Sequence, residues 1–369
     1  MSLRLIGPAL LLLVAACGAS PSQSAQAIAG RPFTVSEVSQ FQSPWAMAFL
    51  PGSGVPLTGA ALVTEKGGKL WLLNVRTGQK QEVSGVPAVT VTSQGGLADV
   101  VPHPNFAGNQ RIYLSYTEGG PRGTSGAAVG YGRLILGQGQ PRLESFKVIW
   151  RQQPKVIGGG HYSQRIAFAP DGTMFVSSGE RQKFDPAQDP NVDLGKTIHM
   201  TAEGQRIGGR YYTLGHRNLL GLAFAPDGRL WEAEMGPKGG DELNLLLPGR
   251  NYGWPKASNG SNYDGSDIPD HRRGDGYEPP KVWWTSSISP AGLLIYNGAL
   301  FPEWKGDALI PTLTGQALVR IDINGDRARK ADQWDMGKRI RAVDEGPRGE
   351  SYLLEDGPNA RLLRLEPKR

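Results

Sequence analysis

The sequence predicts an all-β fold, a six-bladed β-propeller whose long loops gather into a site at one end of the channel. Three observations carry this. A phrase made of an apolar strand, a Pro-Asp-Gly-like turn and a second apolar strand recurs along the chain. The 51 Gly and 28 Pro are spread throughout with no long polar linker, which suits many short strands joined by turns. Sustained helical periodicity is missing apart from short ambiguous runs.

The copies follow in order. The first covers 46–52, with 69–74 as its partner after an insertion. The second, 100–105, leads into 111–116. The third is Ile166-Ala-Phe-Ala-Pro-Asp-Gly172 before 173–178, and the fourth, Leu222-Ala-Phe-Ala-Pro-Asp-Gly228, repeats it before 229–233. A fifth unit runs from 293 through 308–311 to 321, and a sixth, 343–349, leads into 350–354. In the phrase, Pro presets φ, Asp bonds its own backbone and Gly accepts the positive φ that closes a hairpin. Alternating apolar residues then face the neighbouring sheets. Roughly 57 residues per unit slightly exceeds the usual blade, and the excess is assigned to insertions at 179–208 and 259–280. A pair of β-sandwiches would not explain the repeat.

The chain opens with one cation, Arg4, an apolar run over 5–14, and Ala15-Ala16-Cys17. This is the order of a secretory signal, and the run is shorter than the about 20 residues of a spanning helix. A cysteine directly after Val-Ala-Ala resembles the lipobox of bacterial lipoproteins. The resemblance implies a signal peptide over 1–16 and a lipidated Cys17; the small, Ser- and Gln-rich residues after it read as a flexible tether, giving a lipidated N-terminus and tether over 17–32 and the propeller over 33–369. The alternative is an ordinary signal peptide cut a few residues later, which discards Cys17. The expected address is the periplasm or cell envelope, with Cys17 as the membrane anchor. Cys17 is also the only cysteine, so disulfides and thiolate metal sites are excluded. The net charge of +6 and pI near 9.3 come from scattered basic residues, which argues against nucleic acid and for an anionic small ligand or anionic lipid.

Three clusters bear chemistry. His161 follows Gly158-Gly-Gly160 and directly precedes a blade strand; glycines let the backbone bend and place the imidazole accessibly at a loop tip. A neutral imidazole has the right pKa to take a hydroxyl proton near neutral pH. Arg217 and Asn218, beside His216, stand at a loop-to-strand junction and can aim a cation and an amide at one ligand. In Glu234-Met-Gly-Pro-Lys-Gly-Gly-Asp-Glu242, Gly236 and Pro237 expose carbonyl oxygens beside two carboxylates, donors that hard cations such as Ca²⁺ prefer. Taken singly, each cluster also reads as a solvated turn. His103 and His199 read as structural, and His271 as solvated.

Taken together, Leu214-Gly-His-Arg-Asn218, Gly221-Leu-Ala-Phe224, Glu234-Met-Gly-Pro237, Asp241-Glu242 and Asn251-Tyr-Gly-Trp-Pro255 are similar to the pyrroloquinoline quinone (PQQ)-dependent sugar dehydrogenases. The soluble aldose sugar dehydrogenase and sorbosone-dehydrogenase-like branch is the nearest in pattern. The segments 160–168 and 178–186 belong to it too, and the likeness spans 44–365.

The resemblance implies an oxidoreductase that binds PQQ and Ca²⁺ and oxidises the C1 hydroxyl of an aldose to a lactone, electrons passing to a periplasmic acceptor. By the same resemblance His161 is the base, and Arg217 and Asn218 contact the cofactor. Arg339 and Arg341 bind its carboxylates, as fits alternate residues sharing a strand face. Gly236 and Pro237 hold the cofactor's Ca²⁺ through carbonyls, and Gln94 lies beside the sugar. Glu242 and Tyr252, with Asp264 as a further ligand, form part of a second Ca²⁺ site.

The chain departs from the soluble glucose dehydrogenases at Gly160, where they have Asp, and at Thr314, which stands at a cofactor-binding Lys. Thr285 and Ser287 replace Trp and Thr near the sugar. Glucose specificity is therefore not implied. A non-catalytic sugar- or protein-binding propeller and a Ca²⁺-dependent lactonase are the alternative functions. His161, Arg217 and the paired arginines favour the dehydrogenase, because a binding module has no need of a base beside an anion site.

Overall fold

The computed structural model describes residues 30–52, 59–137 and 139–368. The expected leader and Cys17 lie outside the described residues. Six four-stranded antiparallel sheets form a closed ring. The innermost strands of blades I to V are Pro44–Phe49, Leu97–Pro102, Ser163–Phe168, Leu219–Phe224 and Leu294–Ile295, and that of blade VI is Ile340–Glu345. Each contacts the next, and the sixth contacts the first. The N-terminal strand Phe33–Phe41 is the outer strand of blade VI, paired antiparallel with Ala360–Pro367. The two ends of the chain thus close the ring together.

The recurring phrase is the hairpin between first and second strands. In three of the copies the glycine N–H bonds a carbonyl three residues back: Gly172 to Ala169, Gly228 to Ala225 and, in a looser copy, Gly349 to Gly346, each at 2.9 Å. Their φ angles of 83°, 83° and 89° lie where glycine is favoured. One expectation needs correction. In blade I the strand that follows the first copy is Ala60–Glu65, and Lys69–Asn74 is the third strand. Residues 60–65 carry an apolar core but no turn phrase, so the repeat did not reveal them. The expected insertion at 179–208 likewise contains a strand, Lys196–Met200.

The core is divided among the seams between blades. Leu62 and Leu70 of blade I meet Ile112 and Leu114 of blade II. Tyr113 and Val129 meet Val176 and Ile198, Phe175 meets Leu222, and Trp231 and Leu243 meet Ile310 and Val319. Leu318 and Trp334 meet Leu353 and Leu363, and Val63 meets Leu354 and Leu362. Alternate residues of one strand feed two different seams, which is why Ala60–Glu65 and Met174–Ser178 are buried throughout.

The axis is plugged by Arg165. Its guanidinium bonds the carbonyls of Leu220 and Ala291, each at 2.6 Å, and the Asp99 carboxylate at 3.2 Å, and stacks over Trp45 at 4.0 Å. One buried side chain so ties together five blades. Among the described residues no helix is long and apolar enough to cross a membrane.

Candidate active site

A cavity of about 410 Å³ opens where the innermost strands begin. Gln94, Asn218 and Arg339 all precede such strands by a few residues, so closure of the ring brings them to one mouth. Turns after second strands run to the same end and add Thr314 and Asp356. Five residues expected from the sequence, Gln94, Asn218, Thr314, Arg339 and Arg341, line this cavity together.

Three cations line it: Lys66, Arg339 and Arg341. Asp356 accepts from Arg339 Nε at 2.9 Å and from Arg341 Nε and Nη2 at 2.9 and 2.8 Å. Burial pushes the Asp356 carboxyl up, but the two guanidiniums outweigh it and hold the group below its usual range. Lys66 donates to Ser93 O at 2.9 Å, and burial followed by the Arg341 charge lowers its pKa. Three cations against one carboxylate leave an electropositive floor suited to a multiply charged anion. Thr314 donates to Ser287 O at 3.1 Å and lies 2.8 Å from Ser289 Oγ.

His161 stands beside the cavity, its backbone N–H donating to Gln94 Oε1 at 2.7 Å. The expected exposed tip is corrected: the residue is 7 % accessible, because Arg181 gathers the loop around it. Arg181 is buried, donates to Gly160 O at 2.9 Å and Ser125 O at 2.6 Å, and stacks over Tyr162 at 3.6 Å. His161, Ser163 and Gln164 all have positive φ, 49°, 61° and 76°, a strained run of the kind that clusters at functional sites.

The ring Nδ1 meets Glu180 Oε1, while Glu180 Oε2 accepts the N–H groups of Lys183 and Phe184. Burial pushes Glu180 up, but the bond to His161 and the two N–H groups outweigh it, so it stays ionised. An ionised acceptor at Nδ1 requires the proton there and leaves the lone pair on Nε2. Burial is the largest influence on His161 and lowers its pKa; Glu180 opposes this, Arg217 adds to it, and the net value falls below 6.5. Burial thus favours the neutral imidazole.

Arg217 Nη1 donates to Met235 O at 3.0 Å and Gly236 O at 2.7 Å, and Nη2 to the Tyr263 hydroxyl at 3.3 Å. The carbonyl expected to hold a cation therefore already faces one. Pro237 O accepts from Ser287 Oγ at 3.4 Å. Asn218 Oδ1 accepts from Ser163 Oγ at 3.3 Å.

The second expected cation set comprises Glu242, Tyr252 and Asp264. Glu242 is buried, with Oε2 accepting from Asn244 at 3.1 Å. The Tyr252 hydroxyl is taken by Leu245 O at 2.6 Å and Leu247 N at 2.9 Å. Asp264 is on the surface and closes a local turn on Ser266, because the Asn-Tyr-Asp-Gly-Ser stretch satisfies its own backbone. The His271 side chain, expected to be solvated, is 4 % exposed, with Nε2 3.9 Å from Glu242, since the loop folds back through Ser258 N–H to Pro269 O. Deep in blade IV lies a set the sequence did not single out: His216, Glu232 and Glu234. Burial lifts Glu232 and Glu242 well above the carboxylate range and Glu234 to about 8, and lowers His216 to about 3.

The family model described as Glucose / Sorbosone dehydrogenase matches residues 41–364. The chain belongs to this family. The aldose sugar dehydrogenase YliI of Escherichia coli K12 is 37 % identical over 342 residues, covering 88 % of this chain and 90 % of that protein. The crystal structure of the soluble E. coli aldose sugar dehydrogenase in its apo form has a TM-score of 0.84 at 35 % identity, covering 91 % of this chain and all of that one. The PQQ-bound aldose sugar dehydrogenase of Streptomyces coelicolor has a TM-score of 0.74 at 27 % identity, over 91 % and 98 % of the two chains. The chain is thus a sugar dehydrogenase by family, with the propeller expected from its repeats.

Glu180, Arg181, Lys66 and Asp356 are site residues that sequence reasoning left without a role. The string Ser178-Gly-Glu-Arg181 directly after a blade strand was the available signal for the first two. Lys66 and Asp356 had none, because each sits in an ordinary polar turn.

Proposed function

We propose that this chain uses PQQ and Ca²⁺ to oxidise the C1 hydroxyl of aldose sugars to lactones, the two electrons passing on to a periplasmic acceptor. One observation carries the reading: an oriented histidine–carboxylate pair beside a cavity whose floor holds three cations. When bound, the quinone supplies a hydride acceptor at C5 and its Ca²⁺ a Lewis acid that polarises the adjacent carbonyl. The residues fit a tricarboxylate, with Lys66, Arg339 and Arg341 holding carboxylates and Asn218 and Thr314 adding hydrogen bonds. Gly236 O and Pro237 O would hold the Ca²⁺.

His161 Nε2 accepts the C1 hydroxyl proton. As that O–H bond breaks, C1=O forms and the C1 hydrogen leaves with its electron pair. Glu180 stabilises the imidazolium that results. Arg217 offsets negative charge developing beside it, and Gln94 positions the sugar. Thr285, Ser287 and Gly160 replace residues of the glucose enzymes, so their preference for glucose is not carried over. The leader-like sequence ending at Cys17 supports a cell-envelope address with a lipid anchor.

The test mixes purified apo-protein with Ca²⁺ and PQQ, then offers a panel of aldoses with an electron-acceptor dye. Dye reduction that needs both additions and is lost in His161→Ala supports the reading. Failure to bind PQQ removes it and brings forward a binding propeller or a lactonase.

A further inference from the structure

We propose that blade IV holds a divalent transition-metal ion between His216 Nδ1, Glu232 and Glu234, next to the active site, where Glu234 Oε2 also accepts the Arg217 backbone N–H at 3.3 Å. Glu232 and Glu234 alternate on Leu230–Glu234 and so share a face, opposite Asn244 and Glu242 of the next strand. His216 reaches the same space from the loop before Leu219, and one donor atom from each of the three residues lies within 4.8 Å of the others. His216 Nδ1 is 3.3 Å from Glu234 Oε2.

Independent of the carboxylates, buried donors face this space without partners. His216 and Glu232 are completely inaccessible, and neither His216 Nδ1 nor Glu232 Oε1 has a hydrogen bond. Asn244 Oδ1 is also unpaired, while its amide nitrogen bridges Glu232 and Glu242. The imidazole is held as a ligand usually is: Nε2 bonds Thr213 Oγ1 at 2.8 Å, and the ring stacks on Tyr252 at 4.7 Å. With Nε2 as the donor, Nδ1 keeps its lone pair, 3.3 Å from Glu234 Oε2.

Buried carboxylates are costly unless paired or metal-bound. The nearby cationic side chains are committed elsewhere. Lys196 Nζ donates to the carbonyls of Pro186, Ala187 and Leu194 at 2.9, 3.0 and 2.7 Å, and the Arg217 guanidinium turns to Met235 O and Gly236 O. An imidazole with two carboxylates suits a borderline ion of the zinc class, whereas Ca²⁺ prefers oxygen alone. The site is distinct from the calcium expected at Glu242 and Tyr252, which draws on neither His216 nor Glu232.

The experiment uses the full, PQQ-free protein, stripped with chelator and dialysed against Zn²⁺ or Co²⁺ in excess Ca²⁺. One Zn²⁺ per chain should be retained, and Co²⁺ should give the visible bands of a nitrogen- and oxygen-bound ion. His216→Gln should abolish those bands, and the isosteric Glu232→Gln should weaken binding about 10–100-fold. Circular dichroism checks that each variant folds, and the wild-type retention stands if His216→Gln does not. Folded protein that retains neither ion overturns the proposal. So do Co²⁺ bands unchanged in Glu232→Gln, or an infrared band showing that the carboxyls hold protons instead.

Discussion

As a base, His161 must present a lone pair to the sugar, and Glu180 is the group that puts it on Nε2. Glu180 also raises the histidine pKa while burial lowers it. Activity should therefore rise with pH through a value below 6.5 and then level off, because the neutral imidazole is the active form. Glu180→Gln removes the raising influence, so that limb should move to still lower pH while the plateau falls by about 10–100-fold. A pH profile of kcat/KM checks both, and an unmoved limb would sink the pairing. Arg341→Ala should weaken PQQ binding by about 1.5–3 kcal/mol, the range for a hydrogen bond to a charged group. Fluorescence titration with PQQ measures it; the KM for sugar should change little.

At the scale of the element, the innermost strands are what the site rests on, and Arg165 with Asp99 ties them across the axis. Breaking one partner of a buried pair typically costs about 3–5 kcal/mol because the other is stranded. Asp99→Asn and Arg165→Met should each lower stability by that order in urea unfolding, and the double variant should cost less than the two together. Full additivity would mean the pair is not coupled. The inner hairpins were legible in the sequence because Pro-Asp-Gly turns have a fixed chemistry, as at 170–172 and 226–228. The strand Ala60–Glu65 was not, since a two-sided buried strand has neither alternation nor a turn phrase to announce it.

For the whole molecule, ring closure depends on a strand from the other end of the chain. Phe33 and Phe41 are both about 1 % exposed and fill the two seams beside blade VI. Deleting residues 30–41 should leave Ala360–Pro367 an open edge and remove both aromatics. The expected result is loss of the cooperative thermal transition, or aggregation, against a single transition in the intact chain. A variant that melts unchanged would show that the strand is dispensable.

Sequence alone determined the repeated blade, the number of blades and the family pattern, and it singled out His161, Arg217 and the arginine pair as candidates, since these rest on local turn chemistry and on motifs read along the chain. Tertiary structure decided which residues share a site. Lys66 and Asp356 have no local signature, and they meet only because closing the ring brings every innermost strand to one mouth. It also decided which polar groups lose water. Asp264 stays on the surface, while His216 and Glu232 are sealed within blade IV, where an unpaired donor or charge has to be answered.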